Sequence, residues 1–343
     1  MRLALLLPNW VGDAVMATPA LRALRRHFAH DELVGIAPPA ICALLEGHPS
    51  LDRLLPMRTR RSFPLARLRA LTRLLREERF DLLVHFTNSL GSAAAGALAR
   101  VPVRIGHVRR GRGPLLTRRL PAEAANGAPV PAIDHYLALA AALGAGPESP
   151  QMELATSAAD EAAADRLWES FGTRRSRPTI ALNNSGAFGA AKLWTEDGVT
   201  SLAARILEEL DHNVLLLAGP AEAEAAARIA AALPRPGILS TAAMPTLGLS
   251  KAAVRRSRLM VSTDSGPRHF APAFGVPVVS LFGPTDPQRT ALHTPLDRWV
   301  RLDLDCQPCQ QRVCPLGHHR CMRALEADRV WAAMTEQLER FPR

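Results

Sequence analysis

The chain holds 343 residues, 48% of them hydrophobic and 22% charged, an ordinary globular composition that at roughly 150 residues per domain suits about two domains. Disordered, collagen-like and disulfide-stapled classes are excluded, and no apolar run approaches the ~20 residues that span a bilayer. The run Leu3–Leu7 is too short for a signal-peptide core and leads into Asn9 and Trp10, so the sequence places the chain in the cytoplasm, free to touch a membrane face. The formal charge of +10 is unevenly spread. Residues 1–120 carry 20 Lys+Arg against 8 Asp+Glu, and residues 121–343 carry 22 against 24. An excess confined to the first third points to an anionic partner there: nucleic acid, a phosphorylated substrate or an acidic membrane surface. Genome composition explains why 40 of the 42 basic residues are Arg, but not why they are one-sided.

Apolar runs alternate with amphipathic stretches along most of the chain, the pattern of an α/β fold with parallel sheets. Leu3–Leu7 reads as a buried strand, followed by a helix over Ala20–Phe28 whose start is marked by Thr18 and Pro19 and which can reach back to Asp13. Strands are expected at Leu33–Ala37, Leu54–Met57, Leu82–Phe86 and Val103–Gly106. Leu65–Arg79 is expected as a helix with leucines on one face and arginines on the other. The basic, proline-ended segment Phe171–Pro178 suits a linker. A second series then follows: strand Thr179–Asn183, helix Glu196–Leu210, strand Val214–Ala218, helix Ala221–Leu233, and strands Leu259–Ser262 and Val276–Phe282. The expected division is 1–172, 178–323 and a C-terminal helix over 324–343 packing back on the first domain. Two such units imply a cleft, where open α/β sheets bind ligands.

Four constellations carry chemistry. After the first strand, Asn9-Trp10-Val11-Gly12-Asp13 puts a carboxylate at a strand end beside a helix start, where taken alone it reads first as a simple helix cap and second as a base or hydroxyl binder. After another apolar strand, Thr263-Asp264-Ser265-Gly266-Pro267-Arg268-His269 forms a small-residue turn suited to a diphosphate. Asp264 there would face a sugar hydroxyl or brace the loop, and His269 would donate to a phosphate oxygen or sit as a core histidine. Phe282–Pro287 adds a second turn-rich loop on the same rim. Lys192 is one of two lysines in an arginine-rich chain, and a retained lysine suits a site that needs a compact ammonium, although with two lysines chance competes. Cys306, Cys309, Cys314 and Cys321, with His318 and His319, fall within sixteen residues. The first pair has the spacing of a tetrahedral zinc site, and buried unpaired thiols are the other reading.

The segments NWVGDAVMATPALRALR and TDSGPRHFAPAFGVPVVSLFGPTDP resemble the two ends of glycosyltransferase family 9, the ADP-heptose:lipopolysaccharide heptosyltransferases. CPLGHHRCM is similar to the tail of the heptosyltransferase II branch. The resemblance implies a GT-B fold of two Rossmann-like domains facing a cleft, with acceptor on the first and nucleotide sugar on the second. It implies Asp13 as general base and Lys192 as the diphosphate-binding lysine. Glu222 would be the ribose carboxylate, and Asp264, Ser265, Gly266 and His269 the turn that receives diphosphate and heptose. Where the family has a Pro-Gly-Ala-like turn, this chain has Asn184-Ser185-Gly186-Ala187.

The reaction so implied is inverting and metal-independent, from ADP-L-glycero-D-manno-heptose to a heptosylated Kdo2-lipid A core at the inner membrane face. Arg109, Arg110 and Arg112 are expected to form an acceptor patch, and the four cysteines a structural zinc site. Within the class, heptosyltransferase I or a transferase of another sugar is the alternative. An RNA-binding protein with a zinc module is disfavoured: aromatic residues make up only 5% of the chain, with one Tyr, so no base-stacking platform is available.

Overall fold

Each apolar run expected as a strand is one, within two residues at either end, in the computed structural model, which describes residues 1–57, 64–121 and 129–342. The first unit, residues 1–155 with 288–292, holds β1 (Arg2–Leu6), β2 (Glu32–Ala37), β3 (Arg53–Pro56), β4 (Leu82–His85), β5 (Val103–His107) and β6 (Arg118–Leu120). The second unit, residues 156–287 with 293–343, holds β7 (Thr179–Asn183), β8 (Asn213–Leu217), β9 (Ile238–Ser240), β10 (Leu259–Thr263), β11 (Val278–Phe282) and β12 (Asp297–Arg301).

The sheet orders are β3-β2-β1-β4-β5-β6 and β12-β11-β10-β7-β8-β9, parallel throughout. Renumbered within its unit, the second order repeats the first, so each unit is a doubly wound sheet of the dinucleotide-binding type. Such sheets are covered on both faces, which is why β1, β7, β8 and β10 read as unbroken apolar runs and not as alternation. The topological switch lies between β1 and β4 in one unit and between β7 and β10 in the other, and loops leaving the carboxyl ends of those strands are where such folds bind ligands.

The division falls between Ala155 and Thr156, ahead of the expected linker. The helix Ala158–Glu169, closed by a Ser157–Asp160 capping box, packs on the helix Leu247–Arg256 and is tied to it by Arg256–Glu161 at 2.6 Å and the buried Lys251–Asp160 pair at 3.5 Å. The C-terminal helix Ala327–Arg340, expected against the first unit, instead lays Val330, Ala333 and Met334 into the core of the second. Of the basic stretches, Arg58, Arg60 and Arg61 lie outside the described residues.

His85, at the end of β4, is 1% exposed with both ring nitrogens unpartnered, and burial, then Arg112 and Arg104, push its pKa down to about 3. A histidine neutral when folded and protonated when unfolded confers its full stability above the unfolded value near 6.5. That stability drains as pH falls toward 3, at most about 1.4 kcal/mol per pH unit. His85→Gln should therefore flatten the unfolding free energy between about pH 6 and 4.5 by close to one proton. Denaturant titrations at several pH values would measure it, and an unchanged slope would refute the assignment.

Candidate active site

In the second unit the expected residues converge at the carboxyl ends of β7, β8, β10 and β11. Asn183, the last residue of β7, is buried. Its side-chain amide donates to Ser262 Oγ at 2.9 Å and Ser265 Oγ at 2.7 Å, so it fastens the end of β7 to the turn after β10. Asn184 closes the following loop by bracketing Trp194, accepting from its N–H at 2.9 Å and donating to its carbonyl at 3.0 Å. The closed loop carries Lys192 over the turn. Its Nζ donates to the Asp264 carbonyl at 2.6 Å and to Asp264 Oδ2 at 2.8 Å, and lies 5.0 Å above the Phe188 ring.

Asp264 is the hub. Thr285 Oγ1, after β11, donates to the same Oδ2 at 2.7 Å, and Arg268 Nε lies 3.8 Å from Oδ1. Burial works to raise this carboxyl, but Arg268, Lys192 and the two hydrogen bonds outweigh it and hold it down at about 2. Arg268 is fully buried, stacks over Phe282 and donates to Asp297 Oδ2 at 3.1 Å; Asp297 also accepts from Trp299 Nε1 at 2.8 Å and from Ser280 Oγ. Charges thus alternate from Lys192 through Asp264 and Arg268 to Asp297, so each buried ion has an opposite neighbour. Ser265 and Gly266 sit half-buried at the head of the turn. His269 is buried behind them, its Nδ1 unpartnered, and burial, followed by Arg268, keeps the ring well below its usual pKa and hence neutral. Glu222 follows β8 and accepts from the Gly219 N–H at 3.1 Å, which shapes the turn ahead of the helix Ala223–Ala232.

In the first unit Asp13 lies half-buried in the short helix Val11–Met16 after β1, with Trp10 more than half exposed beside it. The chain's one tyrosine, Tyr136, is near: burial, and after it the Asp13 carboxylate, push its phenol well above the usual value.

Arg112 requires a correction. It is fully buried, donating to the carbonyls of His107 at 2.8 Å and Thr87 and to Asn88 Oδ1 at 2.9 Å, and burial lowers its pKa to about 10. Space for it comes from Gly106, where a Cβ would meet Arg112 Nη2 at 3.0 Å. It braces the ends of β4 and β5, while Arg109 is half-buried and Arg110 exposed.

The cysteine segment differs from expectation as well. Cys306, Cys309, Cys314 and Cys321 line one small cavity with His318 and His319, yet among the described residues no three His, Cys, Asp or Glu side chains are arranged to hold a metal. Cys321 belongs to the apolar core, and burial, with the neighbouring thiols, pushes it up to about 11; Cys314 Sγ accepts from the His319 N–H at 3.4 Å. The expected zinc gains no support. What the segment does is hold the Lys192 loop. The Ala191 N–H donates to the Arg312 carbonyl at 3.1 Å and His319 Nε2 to the Ala191 carbonyl at 2.7 Å, while the Gln310 N–H fastens the segment to the loop after β11 through the Pro284 carbonyl at 2.8 Å. A Cβ on Gly189 would lie 2.3 Å from the Arg312 carbonyl oxygen, so only glycine permits this approach. Gly189→Ala should displace the loop and lower the Tm by a few degrees, a loss that thermal unfolding would measure and that a wild-type Tm would disprove.

Sequence reasoning missed Asn183, Thr285, Arg268 and Asp297 as site residues. Thr285 stood in a turn already noted at a strand end; Asp297 carried no signal.

Two doubly wound parallel units are the architecture of the GT-B fold, and the second carries a buried ammonium–carboxylate pair at its switch point. The chain belongs to glycosyltransferase family 9 (heptosyltransferase), whose sequence profile matches residues 68–320. It is 27% identical to lipopolysaccharide heptosyltransferase 2 of Escherichia coli over 346 residues, 96% of each chain. It is 25% identical to lipooligosaccharide heptosyltransferase 2 of Campylobacter jejuni, over 96% of this chain and 97% of that one. The structure of the E. coli ADP-heptose lipopolysaccharide heptosyltransferase II superposes with a TM-score of 0.81, covering 99% of both chains at 25% identity.

Proposed function

We propose that this chain transfers heptose from ADP-L-glycero-D-manno-heptose to the heptosyl-Kdo2-lipid A inner core of lipopolysaccharide, with inversion, working as a cytoplasmic protein at the inner face of the inner membrane. One observation carries the reading: end-to-end similarity to the E. coli lipopolysaccharide heptosyltransferase 2, with Asp13 and the Lys192–Asp264 pair both in segments that follow switch-point strands. In the reaction Asp13 accepts the proton of the acceptor hydroxyl as that oxygen bonds to the anomeric carbon. The bond from that carbon to the diphosphate oxygen breaks, and ADP departs with the electron pair. Lys192, already desolvated and fixed, offsets the diphosphate charge without calling on a metal. Ser265 and Gly266 head the turn that would receive the diphosphate, neutral His269 lies behind it, and Glu222 would meet the ribose.

Arg109 and Arg110 remain candidates for the acceptor phosphates. Arg109→Gln/Arg110→Gln should raise the acceptor KM about fivefold and leave the donor KM unmoved, since surface ion pairs contribute about 0.5 kcal/mol each. Equal kinetics would remove them from recognition. The function itself is tested by incubating the protein with ADP-heptose and, separately, heptosylated and unheptosylated Kdo2-lipid A. A mass gain of one heptose on the heptosylated acceptor is expected. Transfer only to the unheptosylated one would make it a heptosyltransferase I, and no transfer to either would overturn the reading.

A further inference from the structure

The helices Pro64–Glu78 and Leu90–Leu98 pack side by side on one face of the first sheet, sending Leu71, Leu75 and Ala95 into the core. Their outer side is unusual for a solvated surface. Between them runs a groove of about 650 Å³ lined by Leu65, Leu68 and Leu98 and bordered by Arg69, Arg73 and Arg76. Leu65 is 67% exposed and Leu98 51%, against 5% for Leu71 and 1% for Leu75 on the inner side of the same layer. The Arg76 guanidinium donates to the Leu98 carbonyl at 2.7 Å and spans the groove, so its two walls are fixed to each other. Arg69 and Arg73 are exposed on it and Arg100 is exposed two residues past Leu98; Glu77 is the acidic residue at the groove, while Glu78 is engaged by Arg2 and Arg53.

We propose that this face is a docking surface for an anionic phospholipid bilayer. The charge decides the occupant. A second copy meeting this face across a two-fold axis would set arginine against arginine, a repulsive pairing. A bilayer offers phosphates at the level of the guanidinium groups and hydrocarbon just beneath, where leucines flanked by long-stemmed arginines are matched in both layers. Two leucines alone give marginal attachment, so the arginines must supply the rest, at about fivefold in binding per residue near an anionic surface. The inference deepens the reading above, in which the acceptor is membrane-borne, by assigning the face that meets the membrane.

The test is co-sedimentation of the full chain with phosphatidylcholine vesicles, with and without phosphatidylglycerol. Binding is expected only to the anionic vesicles and should weaken at high salt, where screening shortens to a few ångströms. Arg69→Gln/Arg73→Gln should lose about thirtyfold in partitioning. Leu65→Ser/Leu98→Ser should lose about tenfold and leave a remainder that salt removes entirely. Heptosyl transfer to detergent-dispersed acceptor should be unchanged in both variants, which keeps the two readings separate. Loss of transfer in the wild type with vesicle binding intact would sink the proposed reaction and leave the docking face standing. Equal binding to both vesicle types, wild-type partitioning by the variants, or capture by acidic proteins in place of vesicles would overturn the docking face.

Discussion

Asp13→Asn should remove most of the turnover, by roughly 10²–10⁴, while the fold and ADP affinity stay near wild type. The change is isosteric and deletes only basicity, in a half-buried position on a short helix that follows β1. Tyr136 supplies an internal check. The Asp13 carboxylate is one of the causes that hold its phenol up, so the variant should lower the Tyr136 titration measured by ultraviolet absorbance, and with a single tyrosine in the chain the signal is unambiguous. A lowered tyrosine titration with half or more of the activity retained would reduce Asp13 to a structural residue.

Lys192→Met should weaken ADP and ADP-heptose by about tenfold to a hundredfold and adenosine hardly at all. Hydrogen bonds from a charged donor contribute roughly 1.5–3 kcal/mol, and tenfold in affinity corresponds to about 1.4 kcal/mol. The methionine keeps the apolar stem over Phe188 and removes the ammonium. The substitution also leaves Asp264 with Arg268 at 3.8 Å and Thr285 as its remaining partners, so a lower Tm is expected alongside the binding loss. Calorimetry with the three ligands separates the effects. An equal loss for adenosine would place the ammonium away from the phosphates.

What was legible in the sequence follows from how doubly wound sheets are built. Strands covered on both faces must be apolar throughout, so β1, β7 and β10 announced themselves; Asp13 and Asp264 could be singled out by their place after them, and Lys192 by being one of only two lysines. The edge strands β6 (Arg118–Leu120) and β12 (Asp297–Arg301) are short or polar because one side lies open, and they gave no such signal. Asp297 was therefore invisible, and with it the purpose of Arg268, since the two are 29 residues apart, one in the turn after β10 and the other at the start of β12, with β11 between. Arg112 was misread for a related reason. In an arginine-rich run one side chain resembles the next, and only the missing Cβ of Gly106, on an adjacent strand, makes the pocket that draws one of them inside. Composition located the charge; packing decided which charges face water.

The cysteine segment shapes the Lys192 loop chiefly through main-chain atoms, the Arg312 carbonyl and the Ala191 amide and carbonyl, with the His319 ring and the Arg312 guanidinium over Phe188 as side-chain contributors. Such a brace constrains the route of the chain more than the identity of its residues. Apart from Arg312 and Cys314, side chains between residues 310 and 318 should be exchangeable at little cost to the placement of Lys192, whereas lengthening or shortening that stretch by one residue should shift the Arg312 carbonyl off Ala191 and carry the lysine with it. Tolerance here should be governed by length, and a loop that looks variable would still be one whose register is fixed.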